Sequence, residues 1–266
     1  MKDFEFLFSN NILKKVNNNY LNVLNKYALV LLKPECLALN MIEKVFKEFE
    51  LLGFYPVYMK IKILSQNQVF SLWKYGWKNA DLTRIILNCF SMCWNYSAII
   101  ILKNSDQKCN DSCKKLNSYK ESSLNSIQYS IRKNIGAINN YLNFIHVSDN
   151  TNEMIREIPI LLNLDEIVKL IEEIQYLLPI SVEEIKKQIK PTLGNYSVDS
   201  LNDCVNNYID SLNEDDLDKA IKEELNKSIV TKRISSKTFL KLFFEGKIPL
   251  TWNNILLFTQ ITDFKE

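Results

Sequence analysis

The chain has 266 residues, 47% of them hydrophobic and 24% charged, which is enough apolar content for a real core and too much for wholesale disorder. Its 5 Gly and 6 Pro exclude collagen-like and proline-rich architectures, and 33 basic against 31 acidic residues exclude the electrostatic footprint of a nucleic-acid binder. The length exceeds that of one usual compact domain, so two are expected.

The apolar stretches are far shorter than the roughly 20 residues that span a bilayer, so no membrane partner is expected. Asp3 and Glu5 interrupt the N-terminus where an export signal would be apolar. Cytoplasmic localisation is the expectation, with the six cysteines as free thiols. Cys89 with Cys93, and Cys109 with Cys113, have a spacing that would share one helix face. Structural zinc sites use tighter pairs, and no protein-held metal is expected.

Residues 27–33 (YALVLLK) form an apolar run closed by Pro34 and read as a buried strand. Residues 40–52 place Ile42, Val45, Phe46, Phe49 and Leu52 on one helical face, and Gly53 falls at the C-cap. Residues 54–64 then read as a second strand. Helices over 65–77 and 82–93 precede a β-branched central strand at 97–102. A short helix at 112–116 and a polar stretch over 117–140 lead to a last strand at 143–147. Asn150 or Thr151 caps a helix from 151 to 158. The order predicts an α+β, ferredoxin-like sandwich of one antiparallel sheet with helices on one face.

Strand signals stop after Leu162. Asn163 with Glu166, and Ser181 with Glu184, have capping-box spacing, and further apolar-periodic runs reach residue 260. The expected organisation is an N-terminal extension (1–23), a sandwich domain (24–162) able to fold alone, and an all-α domain (163–266). Residues 199–227 are rich in acids, either a solvated face or a docking surface for a basic protein partner.

His146 is the only histidine. A neutral imidazole is a good nucleophile near neutral pH and can carry a phosphoryl group, provided cations neutralise the phosphate oxygens and a carboxylate holds the ring. Without further context, a lone histidine is more often structural than catalytic. The surrounding residues resemble the nucleoside diphosphate kinase family. Tyr27 to Pro34 is similar to its first strand and Lys-Pro pair, Ile131-Arg132 to the pair upstream of its active histidine, and Asn143-Phe-Ile-His146-Val-Ser148-Asp149 to its N-x-x-H-x-S-D signature. Glu157 falls on the family's ring-orienting glutamate.

That resemblance, over residues 24 to 162, implies the following roles. His146 is the phosphorylated nucleophile of a ping-pong transfer between a nucleoside triphosphate such as ATP and a nucleoside diphosphate. Lys33, Arg132 and Asn143 hold phosphates and sugar, and Ser148 and Glu157 support the imidazole. Lys114 stands for a second phosphate arginine, Lys120 falls near the family's threonine, and Trp73 replaces a tyrosine close to the ribose. Mg2+ arrives with the nucleotide. Val147 replaces a glycine, and residues 117–130 lack the Pro/Gly pattern of the family's trimer loop, so a homo-oligomer of the common hexameric kind is not assumed. Trp73, Tyr75 and Trp77 read either as an aromatic platform for the base or as helix core. The alternatives are a nucleotide-binding scaffold without the reaction, or a phosphotransferase with a non-nucleotide acceptor. A P-loop motif is absent.

Overall fold

The computed structural model describes residues 20–120, 129–194, 196–212 and 219–262. Most of the expected N-terminal extension and most of the 117–130 segment lie outside these residues, as does 213–218 of the acidic stretch.

After a short helix, α1 (Tyr20–Leu24), the chain forms β1 (Tyr27–Leu32), α2 (Pro34–Ala38), α3 (Ile42–Leu51), β2 (Phe54–Ile63), α4 (Gln66–Trp73), α5 (Leu82–Cys93) and β3 (Tyr96–Asn104). It continues through α6 (Ser112–Ser118), α7 (Ile131–Ile135), β4 (Ile145–Val147) and α8 (Thr151–Leu161). The sheet order is β2-β3-β1-β4 with every pairing antiparallel, the ferredoxin-like arrangement. One layer differs from the expectation. All six residues of β1 are buried, as are Ser97 to Leu102 of β3, so both faces of the central strands are covered. Continuous apolar runs are what a doubly covered strand requires.

Pro34 ends the first strand by opening α2 at a position where its missing N–H costs nothing. Five residues are too few to display a helical period, which is why α2 and α7 escape sequence patterning. Gly53 caps α3 with φ +78°, and a Cβ there would meet Ser105 Oγ at 2.6 Å. The helix expected at 65–77 stops at Trp73. At the sheet edge, Pro56 offers no donor, and its carbonyl accepts the amide of Ile180 at 2.8 Å, so the edge is covered from within the chain.

The helices after Leu162 divide between two cores. α9 (Leu164–Glu173) and α10 (Val182–Ile189) put Ile167, Leu170, Ile171, Ile174, Ile185 and Ile189 into the same apolar cluster as the sheet. The Tyr27 hydroxyl donates to Ile174 O at 2.9 Å, pinning the end of α9 to the start of β1. A second cluster gathers α11 (Leu201–Asp210), α12 (Lys219–Thr231), α13 (Ser236–Phe244) and α14 (Trp252–Ile261). It also takes Ile86 and Leu87 from α5 and Tyr141 and Leu142 from the loop before β4. The expected boundary at 162 therefore passes through the first cluster.

Burying each of those six Ile and Leu side chains is worth about 1.5 to 3 kcal/mol, so together they contribute on the order of 10 kcal/mol, as much as the net stability of a typical domain. A fragment ending at 162 is expected to lose cooperative thermal unfolding, followed by circular dichroism. One ending at 194 should keep it, with a lower midpoint than the full chain because Leu87 and Leu142 lose their cover. Equal melting of the 162 fragment and the full chain would contradict this.

Candidate active site

His146 lies at the centre of β4, the sheet's edge strand, paired with Leu31. Strand alternation sends Ile145 and Val147 into the core and turns His146 and Ser148 to the opposite face. The extra methyls of Val147 are thus absorbed by core packing, away from the imidazole. Both outward side chains meet Glu157 of α8. His146 Nε2 lies 2.9 Å from Glu157 Oε1, and the Ser148 hydroxyl donates to Oε2. Asn150 caps α8 by accepting the Glu153 amide at 3.0 Å, which sets the helix phase and therefore where Glu157 points.

Glu157 is 3% exposed. Burial pushes its carboxyl upward, but attraction to the His146 ring, the hydrogen bonds from His146 and Ser148, and Arg156 together hold it below the ordinary carboxylate range. An ionised Glu157 accepting from Nε2–H leaves the lone pair on Nδ1, so the anion selects the tautomer.

A cavity of about 560 Å³ opens at His146, within the size range of small-molecule sites. Its cationic wall comes from three distant segments. Lys33 follows β1, and its Nζ donates to Tyr141 O at 2.9 Å. Arg132 sits on α7 and donates through Nη2 to Ile145 O at 2.7 Å. Lys120 follows α6 and faces Asp149 at 3.8 Å. Burial pulls the Lys33 ammonium down to about 8, opposed by Glu35, and pulls Arg132 to about 10. Asn143, 7% exposed, also lines the cavity; its Nδ2 donates to Asn140 O at 2.7 Å, while its buried Oδ1 has no hydrogen-bond partner among the described residues.

The aromatic wall is built on α4. The Trp73 indole meets the His146 ring edge-on with centroids 5.2 Å apart, and Trp77 stacks on Trp73 at 6.2 Å. Arg156 fixes this wall, because its guanidinium donates to Ser71 O at 2.8 Å and Leu72 O at 2.9 Å, capping the end of α4, and pairs with Glu153 at 2.7 Å. Tyr75 lies in the cavity lining but is largely exposed.

The structure thus brings Lys33, Trp73, Arg132, Asn143, His146 and Glu157 into one cavity, with Ser148 buried behind them. Lys114 is exposed on α6 and is not part of the cavity wall, whereas Lys120 is. Sequence reasoning missed Arg84 and Asn88, on the α5 wall, and Arg156. An arginine within an amphipathic helix carries no signal that separates a cavity wall from a solvated face. For Arg156, the only clue was its place between two glutamates in a helix that is otherwise largely apolar. Cys89 and Cys93 share a face of α5, and burial raises their thiols to about 11 and about 12, a poor state for metal ligation.

A profile of the family "Nucleoside diphosphate kinase" matches residues 26–167. No curated protein sequence matches the chain. Among solved structures, the nucleoside diphosphate kinase of Aquifex aeolicus is 17% identical over 53% of this chain and 97% of its own, with a TM-score of 0.43. That of Borrelia burgdorferi, solved as a transition-state mimic with vanadate and ADP, is 16% identical over 60% of this chain and 95% of its own, with a TM-score of 0.42. The profile spans more than half of the chain, including the strand that carries His146, Lys33 after β1 and Glu157 on α8, and the chain belongs to the nucleoside diphosphate kinase family.

Proposed function

We propose that the protein transfers the terminal phosphoryl group of a nucleoside triphosphate to a nucleoside diphosphate through a phosphohistidine at His146. The observation that carries this reading is the hydrogen-bonded set His146, Glu157 and Ser148, which engages Nε2 and leaves Nδ1 clear of Glu157 on a residue that shares its cavity with Lys33, Lys120 and Arg132. The Nδ1 lone pair attacks the terminal phosphorus, the bond to the bridging oxygen breaks, and the nucleoside diphosphate departs with those electrons. A second nucleoside diphosphate then takes the group by the reverse path, which makes the kinetics ping-pong. As the ring gains charge on forming the phosphoramidate, the Glu157 carboxylate stabilises it without changing position.

The cations would neutralise the phosphate oxygens. Arg132 offers a planar fork, Lys33 and Lys120 point charges. Trp73 would set the height of the incoming sugar over His146, and Asn143, which lines the cavity, would hold a sugar hydroxyl. The carboxylates of the cavity are already engaged: Glu157 by His146 and Ser148, Glu153 by Arg156, Asp149 by Lys120. Such a donor set suits Mg2+ brought by the nucleotide phosphates, where it would neutralise oxygens that the side chains do not reach. No helix among the described residues is long and apolar enough to cross a membrane, and all six cysteines are free thiols, in keeping with action in the cytoplasm.

The first test is incubation with labelled ATP and magnesium, followed by assay for acid-labile, base-stable phosphate. Wild type is expected to label and His146→Gln is not. Nucleotide binding without labelling would leave a binding protein in place of an enzyme. Glu157→Gln removes the anion that selects the tautomer, so its rate of phosphoenzyme formation is expected to fall by roughly 10²- to 10⁴-fold in rapid-quench measurements.

The second test uses pH. In the free protein Lys33 loses its proton near 8, whereas in the unfolded chain it keeps it to about 10.5. Between these values the unfolded state binds more protons, so stability rises with pH across the window. Affinity for ADP follows the opposite course, because the ammonium that meets phosphate is lost as pH rises through about 8. Lys33→Met should weaken ADP binding at pH 7 and flatten both slopes, read by calorimetric titration and by denaturant melts; identical pH profiles in the two proteins would remove Lys33 from the phosphate site.

A further inference from the structure

The loop from 137 to 144, which delivers the chain to β4, is held from the C-terminal helices. Asn139 Oδ1 accepts the amides of Tyr141 at 2.9 Å and Leu142 at 2.8 Å. Those two bonds settle which way its amide group faces, and Nδ2 lies 3.3 Å from Thr259 Oγ1 on α14. The Thr259 hydroxyl commits its own proton to Ile255 O at 2.7 Å, so it meets Asn139 as an acceptor. On the far side of the same turn, the carbonyl of Tyr141 receives Lys33 Nζ at 2.9 Å. An unbroken run of hydrogen bonds therefore leads from α14 through Asn139 and Tyr141 to the lysine of the cavity.

Apolar packing fixes the same loop. Tyr141 and Leu142 lie in one cluster with Leu256 and Phe258 of α14, and Leu142 is fully buried. That cluster also takes Ile86 and Leu87 from the back of α5, whose front carries Arg84 and Asn88 into the cavity. Two walls of the cavity rest on α11 to α14, a segment beyond the residues that the family profile matches.

We propose that Asn139 and Thr259 are positioning residues for Lys33, and that the C-terminal helices are thereby a structural part of the phosphate site. The inference rests on the nucleotide reading given above. Lys33 needs a stationary acceptor to hold its ammonium toward the cavity, and Tyr141 O is stationary only while Asn139 keeps the turn closed and α14 keeps Asn139 in place.

The experiment is a double-mutant cycle in the full-length chain, with magnesium and ADP titrated by calorimetry at pH 7 into wild type, Thr259→Val, Lys33→Met and the double variant. Thr259→Val is expected to weaken ADP roughly three- to tenfold, the effect of one lost buried hydrogen bond, and to have little further effect once Lys33 is gone. Thr259→Ser, which keeps the hydroxyl, should bind as wild type. Asn139→Ala removes the donor to Thr259 together with both loop caps without adding charge, so it should weaken ADP at least as much as Thr259→Val, and it serves in its place should that variant fail to fold. Unchanged affinity in Thr259→Val, or equal losses with and without Lys33, would overturn the positioning role while leaving the nucleotide site intact. Wild type that binds no ADP would overturn the nucleotide reading itself, and with it this inference.

Discussion

Two cations, Lys33 and Arg132, are largely buried in the wall of one cavity, where the proposed phosphate binding needs them charged, and the buried carboxyl of Glu35 is what makes that tolerable. Glu35 is 0% exposed; burial raises its carboxyl, while the attraction of Lys33 and Arg132 works in the other direction. Its field likewise opposes the loss of the Lys33 proton. An isolated charge in such a place would cost several kcal/mol, and a mixed cluster of two cations and one anion divides that cost. Glu35 also accepts the amide of Phe144 at 3.0 Å, so it holds Phe144 at φ +69°, a left-handed conformation that is strained for a bulky side chain. The next amide contact returns from Lys33 N to Phe144 O at 2.9 Å. One carboxylate thus sets both the charge balance and the backbone that launches β4 toward His146.

Around this centre, the structure holds each functional group from behind. Glu157 orients the imidazole, Arg156 fixes the helix end that carries Trp73, and the turn at Asn139 presents the acceptor for Lys33. These supports come from α8 and from the loop against α14, so the cavity depends on contacts between segments far apart in the chain. In the proposed transfer, preorganisation of this kind would let charge develop on the ring and phosphate without rearrangement of the protein. The C-terminal segment is likewise divided in its allegiance: α9 and α10 complete the sheet's own core, and the later helices brace α5 and the loop before β4.

Much of this was legible from residue patterns. The apolar runs at 27–32 and 97–102 announced buried strands, Gly53 marked the end of α3, and the resemblance of the residues around His146 to the family signature pointed to one site with Asn143, Ser148 and Glu157. In the structure, the period of two along β4 puts His146 and Ser148 on one face, and the helical phase of α8 brings Glu157 to them. Short elements were not legible, because α2 and α7 are shorter than the period that would reveal them. Layering was missed because a strand run that is apolar at every position was read with helices on one face alone.

Lys114 and Lys120 show where sequence reasoning stops. Both are lysines within seven residues, yet α6 ends at Ser118 and the following turn sends only Lys120 into the cavity. Arg84, Glu35 and Thr259 carry nothing in their local sequence to mark them, since a charge or hydroxyl on an amphipathic element reads the same whether it meets solvent, a cavity or another helix. The sequence by itself determined the longer elements, their order and the single histidine that a site could use, because backbone propensity, apolar period and residue identity are local properties. Which cations surround that histidine, which carboxylate offsets them and which helices hold the loop steady were decided only by the tertiary structure, because electrostatic attraction and desolvation depend on distance in space, and the chain brings residues 33, 132, 157 and 259 together only when it folds.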